Sequence, residues 1–223
     1  MSDGLLAVYS DPGQVPLQRF HDWYEQEHIP LRLQFPEFEN AHRFEAADGL
    51  RPGWLANYDV ELAFLGTDRY SALRARRTPH EQSIVENLAT LDRRIYSLDY
   101  ETGPLEGEPQ YQVIVGLTSQ AEDGLLDWYR TEHIPLLLQI PGWRRIRQFR
   151  LVQGAGERIL TIHDIDDPAA CDTGLWKKAT STRWREQVMS DVTSRSRRIF
   201  KMYKTGQRPP AGWSNPYTPI EEK

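Results

Sequence analysis

Leu17, His21, Tyr24, His28, Leu31 and Phe35 follow one another at alternating steps of four and three, so they share one face of a helix. Further along, Leu126, Tyr129, His133, Leu136 and Ile140 repeat the pattern. Each of the two histidines, His28 and His133, therefore points where the apolar residues point, one turn after a tyrosine. Pro30 and Pro135 follow two residues later and lack the backbone N–H that would bond residue i−4, which frees the carbonyls of Gln26 and Thr131. The spacing predicts a helix that kinks just after the histidine and opens space for a ligand or a water.

Around these helices the pattern shortens to that of strands. Leu5 to Tyr9, ahead of Asp11-Pro12-Gly13, reads as a buried strand and a turn, with Tyr111 to Leu117 as its partner in the second half. Phe38 to Ala46 and Trp143 to Val152 read as second strands, and Trp54 to Leu62 and Arg158 to Asp166 as third strands. Alternation puts Trp54, Ala56, Tyr58 and Val60 on one face, matched by Ile159, Thr161, His163 and Ile165. Asp68 to Leu91 and Leu175 to Val192 have helical composition, the first broken by Pro79, and Arg93 to Glu101 and Arg197 to Lys204 close each half. The order β-α-β-β-α-β, read twice, predicts two ferredoxin-like units whose helices cover one face of an antiparallel sheet. Packing the two sheets face to face would bury the other faces.

The two halves repeat each other in letters as well as in pattern. FHDWYEQEHIPLRLQF at 20–35 and LLDWYRTEHIPLLLQI at 125–140 share D-W-Y-x-x-E-H-I-P-L, and the tryptophans (23, 128), histidines (28, 133) and closing prolines (36, 141) are each 105 positions apart. The chain is read as a tandem duplication. The stretch resembles the first-helix signature of the EthD-like branch of the dimeric α+β barrel superfamily, in which W-Y-x-x-E-H-x-P-L precedes a short gap and P-G. The second copy keeps Pro141-Gly142, whereas the first has Pro36-Glu37. The resemblance implies an α+β fold in which both repeats close, within one chain, the barrel that single-repeat relatives make by dimerising.

The expected organisation is a first repeat over 1–103, a turn-rich connector over 104–109, a second repeat over 110–206 and a proline-rich tail over 207–223. A hydrophobic content of 39% with seven tryptophans supports a sizeable core. The net charge of −5 gives no global attraction to nucleic acid or to acidic membranes. Arg74, Arg76 and Arg77, and Arg195, Arg197 and Arg198, alternate with acids and serines and read as solvated faces. Cys171, alone, rules out an intrachain disulfide and a cysteine-rich metal site. With no secretory signal pattern at the N-terminus and no apolar run long enough for a bilayer, a cytoplasmic location is expected. The expected partner is a small-molecule substrate, with no nucleic acid and no membrane, in a self-contained pseudo-dimer that pairs further only as an option.

Imidazole titrates nearest neutrality, so His28 and His133 lead the catalytic candidates. A second reading gives them a structural role, each bonding backbone groups freed by the proline; metal ligation is a third, and no metal is expected. Differences between the copies bear on activity. His42 aligns with Arg147, Tyr58 with His163 and, with a one-residue slip, His80 with Trp184. One half could assemble His28, His42 and Tyr58, the other His133, Arg147 and His163, with Tyr24, Tyr129, Arg147 and Trp54 binding substrate. The asymmetry predicts one open pocket and one partly filled. Glu27 and Glu132, adjacent to the histidines but turned away from them, are expected at the surface or in caps.

No dinucleotide fingerprint, phosphate loop, nucleophile elbow or zinc helix is present. Barrels similar to this one host decarboxylases, cyclases, isomerases and oxygenases that work without a cofactor. The resemblance therefore implies a cofactor-independent lyase or isomerase acting on a small aromatic or polyketide-derived molecule, in secondary metabolism. A cofactor-free monooxygenase or other oxidoreductase is the runner-up. The remaining alternative is a non-catalytic small-molecule-binding or stress protein, with haem binding as a variant.

Overall fold

The computed structural model describes residues 2–218. The chain runs β1 (Gly4–Asp11), α1 (Leu17–Trp23), α2 (Ile29–Leu33), β2 (His42–Ala46), β3 (Trp54–Val60), α3 (Asp68–Ala75), α4 (Pro79–Val85) and β4 (Thr90–Glu101). The same order then repeats as β5 (Tyr111–Ser119), α5 (Glu122–Trp128), α6 (Ile134–Leu137), β6 (Trp143–Gln153), β7 (Ile159–Ile165), α7 (Gly174–Ala179), α8 (Arg183–Met189) and β8 (Val192–Thr205). The strands hydrogen-bond in the closed order β1-β3-β2-β8-β5-β7-β6-β4, so the fold is the α+β barrel expected from the sequence, with eight strands from one chain.

Two compact units are distinguished among the described residues: one comprises 2–45, Arg51–Ser97 and 203–218, the other Ala46–Leu50 and Leu98–Met202. In the first unit β1 lies antiparallel between β3 and β4, and β3 also pairs with β2. In the second, β5 lies between β7 and β8, and β7 also pairs with β6. The face of β3 carrying Trp54, Ala56, Tyr58 and Val60 enters the core of its unit with Phe20, Trp23 and Tyr24 of the repeated stretch. β1 and β7 are buried along their whole lengths, because residues of both faces are covered.

The helix carrying the motif differs from the sequence expectation in an instructive way. Tyr24–His28 and Tyr129–His133 form a widened π-turn between α1 and α2 and between α5 and α6. Pro30 and Pro135 cannot donate to Gln26 and Thr131, and the preceding amides of Ile29 and Ile134 reach back five residues to the carbonyls of Tyr24 and Tyr129. The irregularity thus ends at the histidine and does not begin after it.

Three boundaries also shift. Phe38 makes only an isolated bridge to Val60, so the second strand begins at His42. The helical stretch from Leu175 breaks without a proline, because Thr182 caps a new helix by accepting from the amide of Arg185. Short 3-10 turns at Leu62–Gly66 and Pro168–Asp172 precede α3 and α7. Gly142 takes φ +82°, and Glu37 makes the same turn without positive φ; in both copies the carbonyl accepts from the residue after the third strand, Asp166 or Glu61. The tail lies along the first unit: Gly206 donates to Ala41 O, Arg208 to Leu33 O and Phe38 O, and Asn215 to Glu27. The end of the expected tail, 219–223, is outside the described residues. Among the described residues no helix is long and apolar enough to cross a membrane.

Candidate active site

In the first unit His28 closes the π-turn and faces a cavity of about 190 Å³. Leu6 and Val8 of β1, Trp23, Tyr70 and Leu73 give it an apolar floor, and Arg32, Arg74, Arg77 and Arg93 surround it with positive charge. Glu81, in the first turn of α4, brings the single carboxylate on the wall: its Oε1 lies 2.9 Å from His28 Nδ1. Trp23 and Tyr24 pack their rings against the imidazole at 4.5 and 5.2 Å. Arg32 Nη1 donates to His28 O at 2.9 Å, and its buried Nε has no hydrogen-bond partner among the described residues.

Burial, reinforced by the charge of Arg32, lowers the His28 pKa to about 4 against the opposing pull of Glu81. Burial alone would raise the Glu81 pKa, but the hydrogen bond from His28 and the charges of Arg32 and Arg77 hold it low. At neutral pH the pair is therefore neutral imidazole and carboxylate. An ionised carboxylate only accepts, so Nδ1 carries the proton and Nε2 keeps its lone pair. A histidine so oriented can take up a proton, and Glu81 stabilises the imidazolium that forms.

The second unit builds the same turn into a different site. His133 Nδ1 bonds Ala179 O at 3.0 Å, and the ring stacks on Trp128 at 4.4 Å. Where α4 has Glu81 three residues after its cap Thr78, α8 has Arg185 three residues after Thr182. The cavity beside His133 is only about 60 Å³, because Trp143 and Trp176 occupy its walls. His163 also lines it and accepts from Trp143 Nε1 at 3.3 Å. Burial pushes the pKa of His133 down to about 4 and that of His163 down to about 3. The two histidines differ in the space beside them, as expected, but Trp184 lines neither cavity, and the narrow space beside His133 opens outward into a cleft of about 620 Å³ lined by Trp176, Thr180 and Arg185.

The remaining candidates separate. Tyr129 lines the small cavity 5.2 Å from His133. Tyr58 is not on the wall of the larger one: it is fully buried beside Phe38, its hydroxyl has no hydrogen-bond partner among the described residues, and burial raises its pKa. Half-buried His42 lines neither cavity, and buried Arg147 lies over Phe149 away from both. Tyr24 and Trp54 stand behind the wall against the guanidinium of Arg43, at 4.2 and 5.4 Å. The grouping His28–His42–Tyr58 is thus corrected to His28–Glu81 with Arg32, Arg74, Arg77 and Arg93. Glu27, expected at the surface or in a cap, is fully buried and accepts from the cap residue Thr78 and from His80 and Asn215. Glu132 likewise accepts from Thr182, at 2.6 Å.

Glu81 was missed although Thr78-Pro79-His80-Glu81 matches the S/T-x-x-E cap pattern, a visible signal that a carboxylate sits on the first turn of that helix. Arg74 and Arg77, read as a solvated face, are exposed and also rim the cavity. Among the described residues no group of three or more His, Cys, Asp or Glu is placed to hold a metal ion. Haem does not fit beside His28, because a cavity of about 190 Å³ falls below the roughly 300 Å³ at which pockets for large ligands begin.

No family model and no curated protein matches the chain. Solved structures do: an anthrone oxidase-like protein at 13% identity over 96% of this chain and 99% of its own, with TM-score 0.62. A candidate monooxygenase from Fusobacterium nucleatum subsp. nucleatum matches at 9% identity, 92% and 94% coverage and TM-score 0.57. A variant of chlorite dismutase from Candidatus Nitrospira defluvii matches at 9%, 91% and 92%, with TM-score 0.61. At these identities the likeness is one of fold.

Proposed function

We propose that the chain is an enzyme and that its active site is the cavity of the first unit, where His28 takes a proton from a small aromatic acid. The observation that carries this reading is the buried His28–Glu81 pair, 2.9 Å apart, on an apolar cavity rimmed by arginines. An apolar cavity of about 150 Å³ accepts a benzene ring, so one of about 190 Å³ takes a single substituted ring. An acidic substituent on that ring reaches Arg74, Arg77 or Arg93 at the rim. Imidazole with a pKa of about 4 is neutral at pH 7 and has a lone pair free to accept a proton; transfer from a phenol oxygen or a carbon next to a carbonyl is uphill for so weak a base, and the arginines lower that cost by stabilising the conjugate anion.

Return of the proton to another carbon makes the reaction an isomerisation; attack of the carbanion on a carbonyl carbon of the same molecule, with the proton delivered to the alkoxide oxygen that forms, makes it a cyclisation. Delivery of the proton to a ring carbon as its C–CO₂⁻ bond breaks makes it a decarboxylation. A second reading, cofactor-free oxygenation in which the same anion gives its electrons to O₂, is favoured by the likeness to an anthrone oxidase-like protein and a candidate monooxygenase. Incubation of the protein with a panel of hydroxybenzoic acids and phenolic ketones, in air and without oxygen, followed by mass spectrometry, tests both. Isomerised or CO₂-depleted products in both atmospheres support the first reading, and oxygenated products in air alone support the second. No turnover of any compound, with none bound in the cavity of His28, contradicts the proposal.

A further inference from the structure

We infer that the second unit carries a separate binding site for a small aromatic oxyanion, a carboxylate or a phosphate ester, in the cleft where Arg185, Arg195 and Arg197 converge. The inference stands apart from the proposed catalysis and uses none of its residues. The three arginines line both the cavity beside His133 and a wider cleft of about 620 Å³ that continues from it, and Trp176 and Thr180 line both as well.

Arg195 and Arg197 alternate on β8 and face the same side as Leu117 and Val115, to which they are paired in the sheet. Arg185 comes from the first turn of α8. Among the described residues none of the three forms an ion pair; Arg197 donates only to the neutral thiol of Cys171, at 3.4 Å. Asp172 is the one carboxylate on the wall, more than an ion-pair distance from all three. Three guanidinium groups brought together without a counter-ion repel one another, and an oxyanion bound between them relieves that repulsion through charge-assisted, two-point hydrogen bonds.

Comparison with the first unit sharpens the point. Arg93 and Arg197 stand opposite Val8 and Val115 on matching strands, so their places correspond. Two residues earlier the first unit has Leu91 and the second Arg195, and the place of Glu81 is taken by Arg185. Both exchanges add positive charge next to His133 and remove the carboxylate that would make that histidine a base. The indole of Trp176 supplies an apolar wall for a ring, which selects an aromatic anion over a bare inorganic one.

Calorimetric titration of the full chain with phenyl phosphate, benzoate and inorganic phosphate tests the inference. Expected are binding of phenyl phosphate or benzoate that weakens as salt rises, and a loss of about tenfold or more in each of Arg195→Gln and Arg197→Gln. Arg195→Lys is expected to restore part of it, and Arg183→Gln, exposed on α8 and on the wall of neither cavity nor of the cleft, to leave the affinity unchanged. Thermal unfolding of each variant checks that it is folded; Arg195 is exposed, so its replacement leaves the core intact. Absence of binding, binding indifferent to Arg195→Gln and Arg197→Gln, or inorganic phosphate bound as tightly as phenyl phosphate each overturns the inference.

Discussion

Replacing Glu81 by Gln keeps the shape of the cavity wall and removes the charge facing His28. The carboxylate raises the affinity of His28 for a proton against burial and against Arg32. A hydrogen bond to a charged group contributes about 1.5–3 kcal/mol, and one pH unit corresponds to about 1.4 kcal/mol. Glu81→Gln is therefore expected to lower the His28 pKa by a further one to two pH units, roughly. The amide can also present either its oxygen or its nitrogen to Nδ1, so the tautomer ceases to be fixed. Nitrogen-15 chemical shifts of the imidazole, assigned with His28→Ala, read both effects. In the native protein at neutral pH Nδ1 is expected to be protonated and Nε2 bare; in the variant the two forms mix, and turnover drops by about tenfold to a hundredfold. A native His28 that titrates near the ordinary histidine value, or keeps its proton on Nε2, refutes the reasoning.

The remaining predictions concern stability. His28 and His133 have pKa values lowered to about 4, and His163 to about 3, from an unfolded value of 6.5. The folded state therefore resists protonation that the unfolded chain accepts; the stability these histidines confer is full above pH 6.5 and is lost as pH falls through 4 and 3. His28 and His133 each account for up to roughly 3 kcal/mol. Urea unfolding at steps from pH 7 to 4 is expected to show a falling midpoint, and a flat profile contradicts the assignment. Thr78→Val removes a cap that accepts from the amide of Glu81 and donates to buried Glu27, so chemical denaturation is expected to register a loss of about 1–3 kcal/mol. Thr182→Val, which severs the matching bonds to Arg185 and Glu132, is expected to lose a similar amount; no change in either variant contradicts the structural role given to the two glutamates.

The division between what was legible in the sequence and what was not has physical causes. Helical periodicity is a local signal, and it placed His28 and His133 on buried faces after Trp23-Tyr24 and Trp128-Tyr129. The strand alternation that put Tyr58 and His163 inward was also correct about burial, but burial does not separate a cavity wall from a filled core, and only His163 reaches a cavity. The partner of His28 comes from Glu81, 53 residues away, and depends on how α4 docks on the π-turn. That turn was itself hidden, because proline announces a lost hydrogen bond without saying that the preceding amide will bond one residue further back. Arginine clusters were misread for a related reason: Arg74 and Arg77 are exposed as a solvated face requires, yet they edge the cavity.

The account holds that the two motif histidines differ in kind: His28 has a carboxylate partner on the wall of its cavity, whereas His133 bonds a backbone carbonyl in a space narrowed to about 60 Å³ and has arginines where the first unit has Glu81 and Leu91. Comparing turnover of the same aromatic acid by His28→Ala and His133→Ala tests this most directly. The first variant is expected to lose about a hundredfold or more in kcat, and the second to retain native turnover per folded molecule. Retained activity in His28→Ala, or loss in His133→Ala alone, contradicts it.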